Sequence, residues 1–265
     1  MSPVIPAVLA KFEPPTTKDF VWPCWGGSVD IGGLSFCMNF IYFLLLLSFV
    51  AFIVLFTLAF RAPSVVPRRL QSVMELGIQF VRENVAIPMI GREGDRFMPL
   101  LTTLFFFIFL GNILEVVPGI NFSHNSRVAF PMSMAAVSWV TFNVVGIRKH
   151  GFVGYAKHVL FPPGAPLWLY PLLVPIEFVT QIVVRPITLS VRLAANFLAG
   201  HFLLAVFFLG TIALLQGGIL AIVGPFAFAI AIALVGFEIF VSILQAFIFA
   251  ILTASYIGGA MAEEH

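Results

Sequence analysis

Charge is what this chain has least of. Asp, Glu, Lys and Arg make up 10% of its 265 residues, where a soluble domain carries about 25%, so an ordinary water-soluble globule is excluded. Cysteine is nearly absent. Cys24 and Cys37 are the only two, which rules out a disulfide framework or a cysteine zinc site and leaves two free thiols or a single bridge. There is no G-x-x-x-x-G-K-S/T phosphate loop and no H-E-x-x-H metal motif. His201 and Glu238 as a pair are too few ligands for a dedicated metal site, so no cofactor is expected. The opening residues hold neither a basic segment followed by an apolar one, as in a signal peptide, nor an arginine-rich transit peptide. That favours a bacterial or organelle-encoded membrane chain. No tandem repeat is visible, and the mirrored broken helices of an inverted-repeat transporter are missing.

What is present is hydrocarbon. Hydrophobic residues reach 60%, with 31 Phe and a mean hydropathy of +1.06. Residues 1–34 are proline-rich and read as an extracytoplasmic segment. A first span over about Ser35–Phe60 is almost pure Leu, Phe, Ile and Val, a lipid-facing anchor. Arg61, Arg68, Arg69, Arg82, Arg92 and Arg96 follow, a density that marks the cytoplasmic side. Within it, Leu70, Val73, Met74, Phe80 and Val81 recur at helical spacing, opposite Ser72, Glu75, Gln79, Arg82 and Glu83. This predicts an amphipathic helix at the membrane interface or, alternatively, one that binds a cytosolic partner. A second span covers about Phe97–Val117, containing Asn112 and ending near Glu115. An outer turn over 118–127 and a third span over about Val128–Val145 lead to Arg148, Lys149 and Lys157, cytoplasmic again. FPPGAP at 161–166 is a rigid non-helical lead-in. Residues 35–170 thus form anchor spans with the amphipathic helix, and 171–265 a hairpin of two long helices turning at Gly217, Gly218, Gly224 and Pro225, in a single membrane domain. The expected fold is an all-α polytopic membrane protein with about five membrane-embedded helices, two of them long and strongly tilted, plus one interfacial amphipathic helix.

The hairpin carries groups that do not belong in lipid. Glu177, Arg185, Arg192, Asn196 and His201 lie in an otherwise apolar stretch, and a charge at mid-membrane costs about 2.5–3.5 kcal/mol on insertion scales. Such residues mark ion pathways or proton relays; the plainer reading is an ordinary span whose arginines snorkel to the head groups. At about 100° per residue, Glu177, Gln181, Arg185, Arg192 and Asn196 share one stripe, with His201 about opposite Arg192. A continuous helix over about 40 residues would reach roughly 60 Å against a hydrocarbon core of about 30 Å, so it must tilt or break, at Pro175 or Pro186. The last helix, about Phe226–Tyr256, is again overlong. Its single acid, Glu238, shares a stripe with Ser242, Gln245 and Tyr256.

RPITLSVRLAANFLAGHFLL resembles the signature of the subunit a family of bacterial F-type (rotary) ATP synthases, the stator half of their proton channel. FEIFVSILQAFIFAILTASYIGGAMAEEH resembles the last helix and tail of that family. The likeness is strongest over about 171–265 and looser through LLTTLFFFIFLGNILEVVPG. It implies that Arg192, charged at any working pH, faces a rotating c-ring and separates two half-channels. His201 and Glu238 would line the outer one, with the acid and the imidazole exchanged relative to some members. Asn196 and Gln245 match channel positions, Ser242 lies beside them, and Glu177 matches an acid of the cytoplasmic side, although its spacing to Pro186 is one residue longer than the family pattern. Arg185 falls at a variable, interfacial position. The implied partners are the c-ring, b-type peripheral stalk subunits, the ATPase head through the complex, and the lipid bilayer, with protons as the cargo and no nucleic acid. Sodium stays open, because ion choice depends on the partner's carboxylate. The chain would be no enzyme on its own. It would sit in a bacterial plasma membrane with its N-terminus outside and its C-terminus in the cytoplasm. Two other classes remain: a self-contained membrane proton or ion transporter, and a scaffold whose buried charges only join helices.

Overall fold

The structure, a computed structural model, describes residues 28–31, 34–37, 39–61, 67, 69–117, 119–120, 122–161, 167–216 and 221–262. Cys24, most of the N-terminal segment, the prolines of FPPGAP, Gly217, Gly218 and the tail from Glu263 lie outside them. A two-stranded antiparallel hairpin, β1 (Ser28–Ile31) and β2 (Leu34–Cys37), pairs Ser28 with Cys37 and Ile31 with Leu34. Helix α1 (Phe40–Phe60) follows. It begins later than the apolar run because Asn39 Oδ1 accepts the backbone N–H groups of Ile41 and Tyr42 at 3.1 and 3.4 Å, as an N-cap does.

Helix α2 (Arg69–Val81) continues through a π turn, Arg82–Ala86, a short α3 (Ile87–Ile90) and a 3₁₀ stretch, Gly91–Phe97, into α4 (Met98–Ile113). α2 has three faces rather than two. Gln71, Met74, Val81 and, past its end, Val85 pack inward. Leu70, Val73 and Phe80, which the sequence groups with that face, are exposed together with Leu76. Ser72, Glu75, Gln79, Arg82 and Glu83 form a third, polar side. One packing line, one apolar side and one polar side suit a helix lying at a lipid–water boundary. Arg82 and Asp95 close a two-pronged ion pair at 2.7 and 2.8 Å.

α5 (Ala129–Leu160) runs 32 residues but is not one rod. Gly151 sits at φ 73°, ψ 166°, a conformation essentially confined to glycine, so the helix restarts there. α6 (Tyr170–Val179), a π turn at Thr180–Val184 and α7 (Arg185–Leu215) form a 46-residue helical stretch. It breaks at neither proline. The wide turn, closed by Arg185 N–H donating to the carbonyl of Thr180, opens the backbone just ahead of Pro186, where a regular turn would clash with the ring. α8 (Gly224–Met261) has 38 residues. Five helical stretches, those of α1, α2 through α4, α5, α6 through α7, and α8, are long and apolar enough to cross a membrane. At 1.5 Å per residue the last two reach about 70 and 57 Å, more than an upright span needs. The fold is an all-α multi-pass membrane architecture, apart from the short hairpin.

The chain divides into two compact units. The first holds the described residues up to Ser48, Gly111–Ser126 and Ala195–Ile243; the second holds Phe49–Leu110, Arg127–Ala194 and the described residues from Leu244. In the second, Leu101, Leu104 and Ile108 of α4 pack with Leu189 and Leu193 of α7 and with Ala246, Ala250 and Ala254 of α8. Alanines four apart let backbones approach closely, which matters where lipid offers no hydrophobic drive for helix pairing. Buried Ser138 and Thr253 join α5 to α8 through their hydroxyls at 2.9 Å.

Gly151→Ala is expected to destabilise the second unit by about 1–3 kcal/mol, the cost of a strained backbone. Gly154→Ala, whose new methyl meets only ordinary contact, should change little. Thermal inactivation of the detergent-solubilised protein compares them.

Candidate functional site

In the second unit, α7 buries Leu189 and Leu193 and turns Arg192 outward. The exposed neighbours of Arg192 are Ile187 and Val191, which are apolar, and Thr188, whose hydroxyl donates to the carbonyls of Val184 and Arg185 at 2.8 and 3.0 Å. Among the described residues its guanidinium takes part in no hydrogen bond or ion pair. A permanent cation is costly in lipid unless it is paired. Glu177 on α6 is half-buried and its carboxylate also makes no hydrogen bond among the described residues. Gln181, which the even helical count puts on Arg192's stripe, is instead 5% exposed. The π turn between them adds one residue, which rotates one side relative to the other by about 100°. Gln245 on α8 is buried with its Nε2 unpartnered.

The first unit gathers the titratable groups. Glu238 on α8 is 3% exposed, and its Oε1 has no partner; Ser242 is buried one turn on, its hydroxyl likewise unpartnered. The Glu238 carboxylate rests directly on Gly200 of α7, where any Cβ would overlap its oxygen. The residue after Gly200 is His201, half-buried, its ring stacked on Phe197 at 5.6 Å and edged by Phe122 at 5.5 Å. A cavity of about 470 Å³ is lined by His201, Glu115 and apolar residues that include Leu204 and Phe208. Glu115 is buried and close enough for its charge to act on Glu238. Asn196 is half-buried. His201, Glu238 and Ser242 therefore belong to one unit with Asn196, whereas Arg192, Glu177 and Gln245 belong to the other.

Glu115 is the residue that sequence reasoning passed over as a mere span end. An acid inside LEVVP, with no basic neighbour, is the signal that could have found it. A second omission is a buried polar knot in which Ser48 Oγ meets His124 Nδ1 at 3.3 Å, Ser123 Oγ donates to the Gly111 carbonyl at 2.7 Å and Asn125 Nδ2 donates to Asn112 Oδ1 at 2.7 Å. It ties the 122–126 turn to α1 and α4.

The family model described as "ATP synthase A chain" matches residues 41–258. The chain belongs to that family. Among curated relatives, the ATP synthase subunit a of Rhodococcus erythropolis is 42% identical over 259 residues, 96% of this chain and 93% of the relative. That of a Parafrankia species is 44% identical over 255 residues, 95% and 85%, and that of Frankia alni 40% identical over 270 residues, 99% and 91%. The ATP synthase A chain match runs from the start of α1 almost to the end of α8, so it includes both units and every candidate residue above.

Gly200→Ala is expected to displace the Glu238 carboxylate and lower proton-driven ATP synthesis in membrane vesicles by about ten- to a hundredfold, the scale of a misplacement near 1 Å. Gly210→Ala, whose Cβ meets open space on the same helix, should leave the rate near wild type.

Proposed function

We propose that this chain is the proton-conducting stator subunit of a bacterial F-type ATP synthase, working against a c-ring. The observation that carries this is Arg192, an exposed guanidinium on a largely apolar helix face with no acid paired to it among the described residues. In a membrane such a charge needs a counter-charge from outside, and the ring carboxylate supplies one. At about 4 Å and an effective dielectric near 20, that attraction is on the order of 4 kcal/mol before desolvation is subtracted. This is enough to hold the carboxylate ionised as it passes and little enough to release it. Because the cation also repels protons, it separates two half-channels.

The outer half-channel is the first unit's cavity. Glu115, His201 and Glu238 hand protons toward the ring, with Ser242 and Asn196 holding water or a passing carboxylate, and Gln245 doing the same within the second unit. The unpartnered atoms of Glu238, Ser242 and Gln245 support this reading, since buried polar atoms are normally met by a partner or by water. Glu177 belongs to the inner half-channel. Its spacing to Pro186, one residue longer than the family pattern, is taken up by the π turn, which keeps it in register with α7. The chain makes no bonds itself; the ATPase head, joined through the b-type stalk, does. It lies in the plasma membrane with its N-terminus outside, its C-terminus in the cytoplasm and α2 on the cytoplasmic surface.

Arg192→Ala should abolish ATP synthesis while permitting passive proton leak. Both are measured in the same vesicles with the ring confirmed present, and full coupled synthesis would remove Arg192 from the mechanism. Lys should substitute poorly, because it lacks the planar fork and deprotonates when buried. Cysteines placed at Gln79 and Arg82 should react with impermeant maleimide from the cytoplasmic side. Reaction from the outside alone would reverse the topology.

A further inference from the structure

A second cavity, of about 330 Å³, opens within the second unit among Tyr155, His158, Gln181, Arg185, Ser255 and Tyr256. Its cation is fixed. The Arg185 guanidinium lies 4.8 Å from the Tyr256 ring and 5.9 Å from that of Phe142, within cation–π range. Among the described residues no Asp or Glu lines the cavity, and Arg185 makes no ion pair. The stretch that carries Tyr155 and His158 adds only positive charge: Arg148, Lys149 and Lys157, with no acid between 146 and 160.

The walls are ordered. Gln181 Nε2 donates to the Tyr155 hydroxyl at 2.8 Å, which donates to Asn143 Oδ1 at 3.1 Å. Trp139 Nε1 donates to the carbonyl of Gln181 at 2.9 Å. His158 Nε2 meets the Gly259 carbonyl at 3.2 Å. Gln181 Oε1 is buried and unpartnered, so a lone acceptor stands beside a lone cation. Tyr155 and His158 follow the restart at Gly151, and Ser255 and Tyr256 lie within two turns of the end of α8.

We propose that this chamber binds a phosphoryl anion that also carries a hydroxyl. Arg185 would take the anionic oxygens and Gln181 Oε1 would accept from the O–H. Free hydrogen phosphate has this chemistry, and so does the glycerol head group of phosphatidylglycerol. The volume is at the lower end of small-molecule pockets, roughly 300–1,000 Å³, which suits a head group rather than a nucleotide. The site is separate from the proton path proposed above and does not depend on it.

The test uses the full chain in its purified membrane complex. One arm exchanges the complex into nanodiscs of phosphatidylcholine with or without phosphatidylglycerol and counts retained anionic lipid by native mass spectrometry. The other measures radiolabelled inorganic phosphate by equilibrium dialysis in a neutral detergent without lipid. Arg185→Gln should weaken binding by roughly ten- to a hundredfold, as expected for lost charge-assisted bonds. Gly259→Leu leaves the cation and its two rings in place and fills the chamber, since a Cβ there meets open space; it should weaken binding equally. Saturable binding lost in both variants supports the site, and the arm in which it occurs identifies lipid or free phosphate as the source. Occupancy equal in wild type and Gly259→Leu, or no binding in either arm, overturns it.

Discussion

A hydrocarbon layer cannot hydrogen-bond, and nearly everything in this chain stems from that. The backbone answers with helices, which satisfy their own N–H and C=O groups. Side chains meet the same demand in three ways. Some bond back to their own helix: Ser48 to the Leu44 carbonyl at 2.9 Å, Thr103 to Pro99 at 2.7 Å, Thr211 to Phe207 at 2.7 Å. Some bond across helices, as Ser138 and Thr253 do. The third group, Glu115, Glu238, Ser242 and Gln245, is buried with atoms left over. They share that state with Asn112, Ser126, His150 and Gln181, but three of the four are on α8.

The same solvent weakens the usual reason for helices to associate, so close contact has to come from small residues and shape. In the second unit the alanines of α8 serve that purpose. In the first, a glycine at position 200 does something more specific, because the group it admits is the Glu238 carboxylate. Packing and chemistry are then one constraint. The acid is held against α7 beside His201 by the lack of a single methyl group.

The spans were legible because about 20 apolar residues in a row have few other uses, and the polar stripe of α8 was legible because a straight α-helix keeps its period. What escaped were departures from that period and backbone features without a hydrophobic signal. The hairpin of Ser28–Cys37 overlaps the start of the apolar run, and only Asn39 announces where helix begins. The π turn at Thr180–Val184 defeats a fixed 100° count, which is why Gln181 was grouped with Arg192 and proves buried. Gly151 was invisible as a restart, since a lone glycine in a helical pattern is usually tolerated. For α2, hydrophobicity could not distinguish residues facing protein from residues facing lipid, so Leu70 and Val73 were grouped with Met74. Glu115 needed the fold, which brings it near Glu238.

The two arginines at the start of α7 show how the surroundings decide what a charge is for. Arg185 and Arg192 are seven residues apart, both beyond the π turn, and so within about 20° of each other around the helix. By chemistry and angle they are alike. One, however, lies against the rings of Phe142 and Tyr256, whose negative faces replace part of the lost hydration of the guanidinium. About 10 Å further along the axis, the other has Ile187, Thr188 and Val191 as exposed neighbours and, among the described residues, no ring over it. The clamp holds Arg185 in place whatever else binds. In the proposed function Arg192, without one, draws its stabilisation from the ring carboxylate, and its energy changes whenever that carboxylate moves. In the proposed function a charge that answers a passing partner is left uncompensated by the described residues of its own chain, and the rings of Phe142 and Tyr256 beside Arg185 are what separates the two fates.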